Sequence, residues 1–260
     1  MKSLWTGSIG FGLVNIPIKM FAATQERSLD FDMLDKKDHA NIRFQRVNEK
    51  TGKEVKWENI VKGYLLDSKY VVLTDEDFKK ASPEKTDLIE ITQFCMKEEI
   101  DSIYYDNAYF LQPQKSGAKP YALLRDALEK TKKVAIGTYV MRGRENICMI
   151  HPNGKGLMLY KLRFSEEVRS DSELEIPATK SKPAEVKMAE ALIGQLTEKF
   201  DIEAFKDTYN EKLMKFIKAK AKGKTVAAPT MKIVHSASKD LMEQLKQSLH
   251  PVKSSRKKAS

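Results

Sequence analysis

Four histidines and two cysteines are the residues of this 260-residue chain best suited to hold a metal or act as base or nucleophile. His39, His151, His235 and His250 stand far apart, none has a second His three to five positions on, and no Cys-x-x-Cys occurs. Zinc sites depend on such short ligand spacings, so no metal is expected. His151 lies at a strand end ahead of a turn and reads as a surface or packing residue. Cys95 and Cys148 sit in the apolar runs Thr92-Gln-Phe-Cys-Met96 and Asn146-Ile-Cys-Met-Ile150, where a thiol serves as a small buried hydrophobe. Ser8-Ile-Gly-Phe-Gly12 contains Gly-x-Gly but lacks the third glycine and the following helix of a dinucleotide site. There is no P-loop and no Gly-x-Ser-x-Gly elbow. Asp101 and Asp106 flank a short strand-like segment and read as turn residues. The chain offers no catalytic set and no cofactor motif, so a non-enzymatic role is expected.

The chemistry that the composition does favour is electrostatic. The formal net charge is +10. Residues 218–260 hold eleven Lys/Arg against two Asp/Glu, leaving the preceding 217 residues nearly neutral. Such a polycation binds polyanions by counterion release. The tail residues expected on DNA are Lys218, Lys220, Lys222, Lys224, Lys253, Arg256, Lys257 and Lys258. Within the body, Arg43, Arg46, Lys50, Lys53 and Lys56 cluster around one turn beside Trp57. Arg142 and Arg144 project from a second turn, and Lys155, Lys161 and Arg163 lie near a third.

These side chains need a scaffold, and 41% hydrophobic residues can supply its core. Ile9, Phe11 and Leu13 alternate on one face, then Val14, Ile16, Ile18 and Met20 continue after a one-residue shift, which predicts a bulge or bend near Gly12. Pro17 marks an edge or the end of a ladder. Further strands are expected at 42–47, 70–74, 88–94, 108–112, 134–142, 146–151 and 157–164. Turn-rich pieces separate several of them, as in an antiparallel barrel or sandwich. Helices are expected over 75–81, capped by Thr74, and over 119–131, with Tyr121, Leu124 and Leu128 on one face.

After Pro183 the apolar period becomes 3.6. One stripe runs through Val186, Ala189, Leu192, Ile193, Leu196 and Phe200, and a second through Phe205, Tyr209, Leu213, Phe216 and Ile217, with Asp201 between them as a cap or turn residue. This pair is too small to stand alone. A short amphipathic helix is expected over 238–249, with Leu241 and Leu245 as partner-binding residues. No apolar run spans a membrane, the N-terminus lacks a secretory pattern, and two cysteines fit a reduced interior. The expected location is cytoplasmic and nucleoid-associated.

Several segments carry a family resemblance. Trp5-Thr-Gly-Ser-Ile-Gly-Phe-Gly-Leu-Val-Asn-Ile-Pro-Ile-Lys-Met20 resembles the N-terminal strand of prokaryotic Ku. Ile60-Val-Lys-Gly-Tyr64, Tyr70-Val-Val-Leu-Thr-Asp-Glu-Asp77 and Glu99-Ile-Asp-Ser-Ile-Tyr-Tyr105 are similar to it, as are Lys119-Pro-Tyr-Ala-Leu-Leu-Arg-Asp-Ala-Leu128 and Leu162-Arg-Phe164. Their order and spacing, over residues 1 to about 217, make the match specific. Some bacterial members carry a Cys pair near the turn at 47–52; this chain does not, so no metal is carried over.

The resemblance implies an α+β, mainly β fold: an antiparallel β-barrel with bridging strands forming a dimeric ring, a C-terminal helical arm and a basic tail. The divisions expected are 1–180 for barrel and bridge, 181–217 for the arm and 218–260 for the extension. The implied function is sequence-independent binding of double-stranded DNA ends as a homodimer, with recruitment of a multidomain ATP-dependent DNA ligase for non-homologous end joining. On that reading Arg43, Arg46, Lys53, Lys56, Arg142 and Arg144 face the DNA, and Leu241 and Leu245 face the ligase. Two competing readings are a general nucleic-acid binder driven by the tail and an enzyme with a barrel pocket.

Overall fold

The apolar shift near Gly12 is a reversal of the chain. Strand β1 (Trp5–Phe11) pairs antiparallel with β2 (Val14–Ala22), and Phe11 opposes Val14 across a two-residue turn. Gly12 takes φ +57° there and Leu13 is fully exposed at the tip. A bend within one strand was expected. Folding back instead brings Ile9 directly opposite Ile16, so both apolar sets face inward.

The computed structural model describes residues 1–82, 87–224 and 241–249, and the chain divides into two compact units, Met1–Asp171 and Ser172–Ser260. The first unit continues with β3 (Lys62–Leu66), β4 (Lys69–Leu73), α1 (Asp75–Ala81), β5 (Leu88–Met96) and β6 (Tyr105–Pro113). Then follow α2 (Ala118–Thr131), β7 (Lys133–Met141), β8 (Arg144–Asn153) and β9 (Gly156–Leu162). Seven strands close a barrel in the order β1-β2-β6-β9-β8-β7-β5. Seven is odd, so directions cannot alternate all the way round. The one parallel seam is β1 with β5, where Ile9 opposes Ile89. Pro17 sits one residue before the β2–β6 ladder begins at Ile18, so its missing N–H costs that ladder nothing.

The interior is filled by Ile9, Ile16, Ile18, Met20, Ile89, Leu111, Tyr139, Ile150 and Leu159, all buried. Helix α2 adds Tyr121, Leu124 and Leu128. The Tyr121 hydroxyl donates to the Leu111 carbonyl and accepts from the Leu157 N–H, both at 2.6 Å, stitching β6 to β9 at the last paired residues of their ladder. A bulge in β5 between Ile91 and Gln93 lies opposite Gly137. Any side chain on Gly137 would collide with the Glu90 carbonyl.

Residues 23–82 are built differently: none is buried. The strand expected at 42–47 is absent. Only isolated bridges occur, Leu34 with Asn41 and Val47 with Glu54. Ile42 and Phe44 alternate as in a strand, but among the described residues only the ends of the segment are bridged, the Ile42 N–H to the Met33 carbonyl and Val47 to Glu54. Strand β3 was not anticipated. It joins β4 through Asp67 and Ser68, both at positive φ, the signature of a type I′ hairpin turn. Helix α1 carries the expected cap. The Thr74 N–H donates to Asp77 Oδ2 at 2.9 Å, and the Asp77 N–H donates to Thr74 Oγ1 at 3.3 Å.

The second unit holds α3 (Pro183–Leu196), α4 (Thr208–Ala221) and α5 (Leu241–Leu249). Pro183 takes the first helical position of α3. Asp207 caps α4 by accepting from the Tyr209 and Asn210 N–H groups. Phe200 and Phe205 lie between the helices, 6.0 Å apart by ring centroids, with Asp201 capping a short 3-10 turn as expected of a turn residue. Helix α5 lies against α3. None of the unit's described residues is buried.

Candidate nucleic-acid interface

The basic residues expected from sequence to face DNA fall, where described, on two turns and a helix end. The first turn is a hairpin-like loop around the Val47–Glu54 bridge. The Asn48 N–H donates to the Lys53 carbonyl and the Val55 N–H to the Arg46 carbonyl, both at 2.8 Å. The Asn48 side chain accepts from the Lys50 and Thr51 N–H groups, which sets the turn. Arg46, Lys53 and Lys56 are thus brought onto one loop, with Arg43 three residues ahead. The Arg46 guanidinium lies 4.7 Å from the Trp57 ring centroid, a contact worth about 0.5–1 kcal/mol at an exposed site. It holds the guanidinium in place without neutralising it.

The second turn joins β7 to β8. Met141 opposes Arg144, and Arg142 and Gly143 take φ of 55° and 74°. A Cβ on Gly143 would lie 3.3 Å from Ser82 Oγ, so this turn sits beside the end of α1. Arg43, Arg46, Lys53, Lys56, Arg142 and Arg144 are all exposed, and among the described residues none is in an ion pair.

Lys161 and Arg163 are different. Lys161 Nζ lies 3.2 Å from Asp106 Oδ2, and Arg163 Nη2 lies 3.6 Å from Asp106 Oδ1. Arg163 Nη1 also donates to the Ile103 carbonyl at 3.0 Å and to the Tyr105 carbonyl. These two cations fasten β9 to β6 and offer little free charge. Asp106 is therefore a strand residue with a charge-neutralising role, where sequence had suggested a turn; the alternation of Asp106 with Ala108 was the available signal. Asp101 does cap a turn, accepting from the Ile103 N–H.

Lys218 and Lys220 belong to the last turn of α4, where cations complement the helix dipole. Lys222 is its C-cap and Gly223 takes φ +69°. The Lys224 N–H donates to the Ala219 carbonyl and the Gly223 N–H to Lys220, a Schellman motif that ends the helix. Lys253, Arg256, Lys257 and Lys258 lie outside the described residues, as do His235 and His250. Leu241 and Leu245 fall on α5, with Leu245 half-buried in a helix that already lies against α3.

Cys95 and Cys148 belong to the two apolar clusters of the barrel. Burial pushes the Cys148 thiol up to about 12. Burial, then the Glu99 carboxylate, raises Cys95. Both thiols stay protonated and unreactive at neutral pH. His151 stacks on Tyr160 at 5.5 Å and its Nδ1 contacts the Pro152 carbonyl at 2.8 Å. Its Nε2 is buried without a partner. No group of three or more His, Cys, Asp or Glu among the described residues could hold a metal ion, and no described helix is long and apolar enough to cross a membrane.

Comparison with known proteins agrees with this architecture. Residues 10–190 match the family model described as the Ku70/Ku80 beta-barrel domain. The chain is 38% identical to the non-homologous end joining protein Ku of Coxiella burnetii, covering all of this chain and 98% of that protein. It is 40% identical to the protein of the same name from Archaeoglobus fulgidus, covering 97% and 100%. For the Pseudomonas aeruginosa protein the identity is 37%, covering 93% and 85%. With its barrel and its full length both matched, the chain belongs to the Ku family.

Proposed function

We propose that this chain binds double-stranded DNA ends without sequence preference as a ring-shaped homodimer. In the same reading it recruits an ATP-dependent ligase for non-homologous end joining. The observation that carries the ring is the exposure of residues 23–82. Phe44, Trp57, Tyr64 and Tyr70 are each at least 65% exposed in the single chain. Apolar surface on that scale marks an interaction face. The segment at 42–47, bridged only at its ends among the described residues, likewise fits a strand completed by a second copy. The exposed arginines and lysines beside this region supply phosphate contacts, which position a duplex without reading its bases. The names of the relatives support the end-joining role.

A comparison of linear duplex with covalently closed circles of the same sequence tests the proposal. Linear DNA should be retained and closed circles should not, with affinity falling as salt rises by about 0.9 log unit per log unit of salt for each phosphate neutralised. Equal affinity for the two forms overturns it. Removing residues 218–260 should weaken retention and preserve the preference for ends. Loss of all binding with the tail favours the polycation as the binding element.

A further inference from the structure

We propose that a groove on the outer face of the barrel, formed by Lys19, Gln112, Gln114, Lys115 and Ser116, holds a phosphodiester group of the DNA backbone. This assignment rests on the DNA-binding reading above and adds a contact made by the barrel wall itself. The groove has a volume of about 510 Å³, and Pro113 completes its lining.

Its geometry follows from the strand pattern. Ile18 and Met20 are buried, so Lys19 between them points outward. Lys19 is directly paired with Gln112 across the β2–β6 ladder, which puts the two side chains on one face. After Pro113 the chain turns back over β2 and is fastened there. The Gln114 N–H donates to the Pro17 carbonyl at 2.9 Å, and Gln114 Nε2 donates to the Ile18 carbonyl at 3.4 Å. Gly117 completes the fit: a Cβ there would lie 2.7 Å from the Pro17 oxygen. The fastened turn delivers Lys115 and Ser116 to the groove that Lys19 already faces.

The lining chemistry selects the ligand class. None of the six lining residues is acidic. Both lysines are exposed, and neither is in an ion pair among the described residues. On the same barrel Lys161 and Arg163 are neutralised by Asp106, so free charge is a property of this groove and not of every basic pair on the wall. Two ammonium groups, a hydroxyl and carboxamide N–H groups offer donors at varied angles, which suits phosphate oxygens. Lysine acts there as a point charge and tolerates a shifting backbone, as sequence-independent binding requires.

The test uses the full chain with Lys19→Gln and Lys115→Gln combined, titrated with linear and covalently closed duplex over a salt series. Losing two phosphate contacts should make the slope of log K against log salt shallower by about one to two. Affinity should fall roughly tenfold or more at physiological salt. The preference for linear DNA should be unchanged. A slope and affinity equal to the parent's overturn the proposal. If the double variant fails to fold by circular dichroism, Gln112→Glu with Ser116→Glu keeps both lysines and must weaken binding; parent-like affinity then overturns the groove. Ends with and without a 5′-phosphate separate two sources of the ligand. Loss confined to the 5′-phosphorylated end overturns the backbone assignment in favour of a terminal phosphate. If the parent shows no preference for linear DNA, the end-binding reading fails by itself, and the slope difference on either DNA still decides the groove.

Discussion

The barrel and the segment that leaves it, residues 23–82, spend similar apolar residues in opposite ways. In the barrel Ile9, Ile16, Met20, Ile89 and Leu159 are fully buried. In the segment Phe44, Trp57, Tyr64 and Tyr70 face solvent. Local structure is not what separates them, because both contain hairpins with positive-φ turns, at Gly12 in one and at Asp67-Ser68 in the other. Closure is the difference. The seven-stranded sheet meets itself and needs no further partner, whereas a two-stranded sheet such as β3–β4 has too little surface to make a core. A chain that keeps such a region must complete it elsewhere. The described residues beyond Asp171 repeat the lesson with helices.

The sharpest way to break that comparison is to weaken each side in turn. Leu124, buried on α2, fills the barrel. Leu124→Ala should destabilise the folded chain by about 2–5 kcal/mol. At about 2–4 °C per kcal/mol for a chain of this size, calorimetry should show a drop of several degrees or more. Tyr64→Ser with Leu66→Ser alters the same face of exposed β3 and should leave the barrel's unfolding within about 0.5 kcal/mol of the parent. The same pair should weaken self-association about tenfold or more, measured by sedimentation, since truncating an anchor at an interface core costs above about 1 kcal/mol. If the β3 pair lowered the melting temperature as far as Leu124→Ala, the two regions would not be energetically distinct.

A smaller effect separates fastened charge from free charge. Asp106 holds Lys161 and Arg163 at the β6–β9 seam, partly open to solvent. Asp106→Asn should cost about 0.5–1 kcal/mol, reduced in high salt, because partly exposed ion pairs are screened. Arg142→Gln at the β7–β8 turn removes a charge with no ion-pair partner among the described residues and should leave stability unchanged. Its effect should appear as a shallower salt dependence of DNA binding. Equal stability losses from Asp106→Asn and Arg142→Gln would erase the distinction.

The barrel side of the comparison was the legible one. Period-two apolar runs located β5 through β9 to within a few residues, because each is paired within the barrel and its inward face must be apolar. Thr74 announced α1, since capping is a local interaction. The order of strands round the barrel, and its one parallel seam, depend on pairings between residues 37 to 95 apart and leave no local trace. The segment at 42–47 shows the converse failure, for it reads as a strand but among the described residues is bridged only at its ends. Among the site residues, the basic turns were visible as clusters of like charge. Their availability was not visible: only the placement of Asp106 shows that Lys161 and Arg163 are occupied while Arg142 and Arg144 are not.

The smallest expected effect belongs to His151, on the outer wall of the barrel. Burial lowers its pKa below the usual imidazole value; the Pro152 carbonyl opposes that shift and Lys97 adds to it. With Nδ1 donating to the Pro152 oxygen in the neutral ring, a second proton would have to sit on Nε2, which is buried and has no acceptor. The unfolded chain therefore takes up the proton more readily than the folded one. Stability from the neutral ring is fully present above the unfolded pKa near 6.5 and is lost as pH falls through the lower folded value. One such group can contribute a slope of at most about 1.4 kcal/mol per pH unit. His151→Gln cannot take up that proton, so the difference in stability between parent and variant should narrow as pH drops from 7.5 toward 5. A difference that stays constant across that range would mean the ring is not held neutral by its packing against Tyr160.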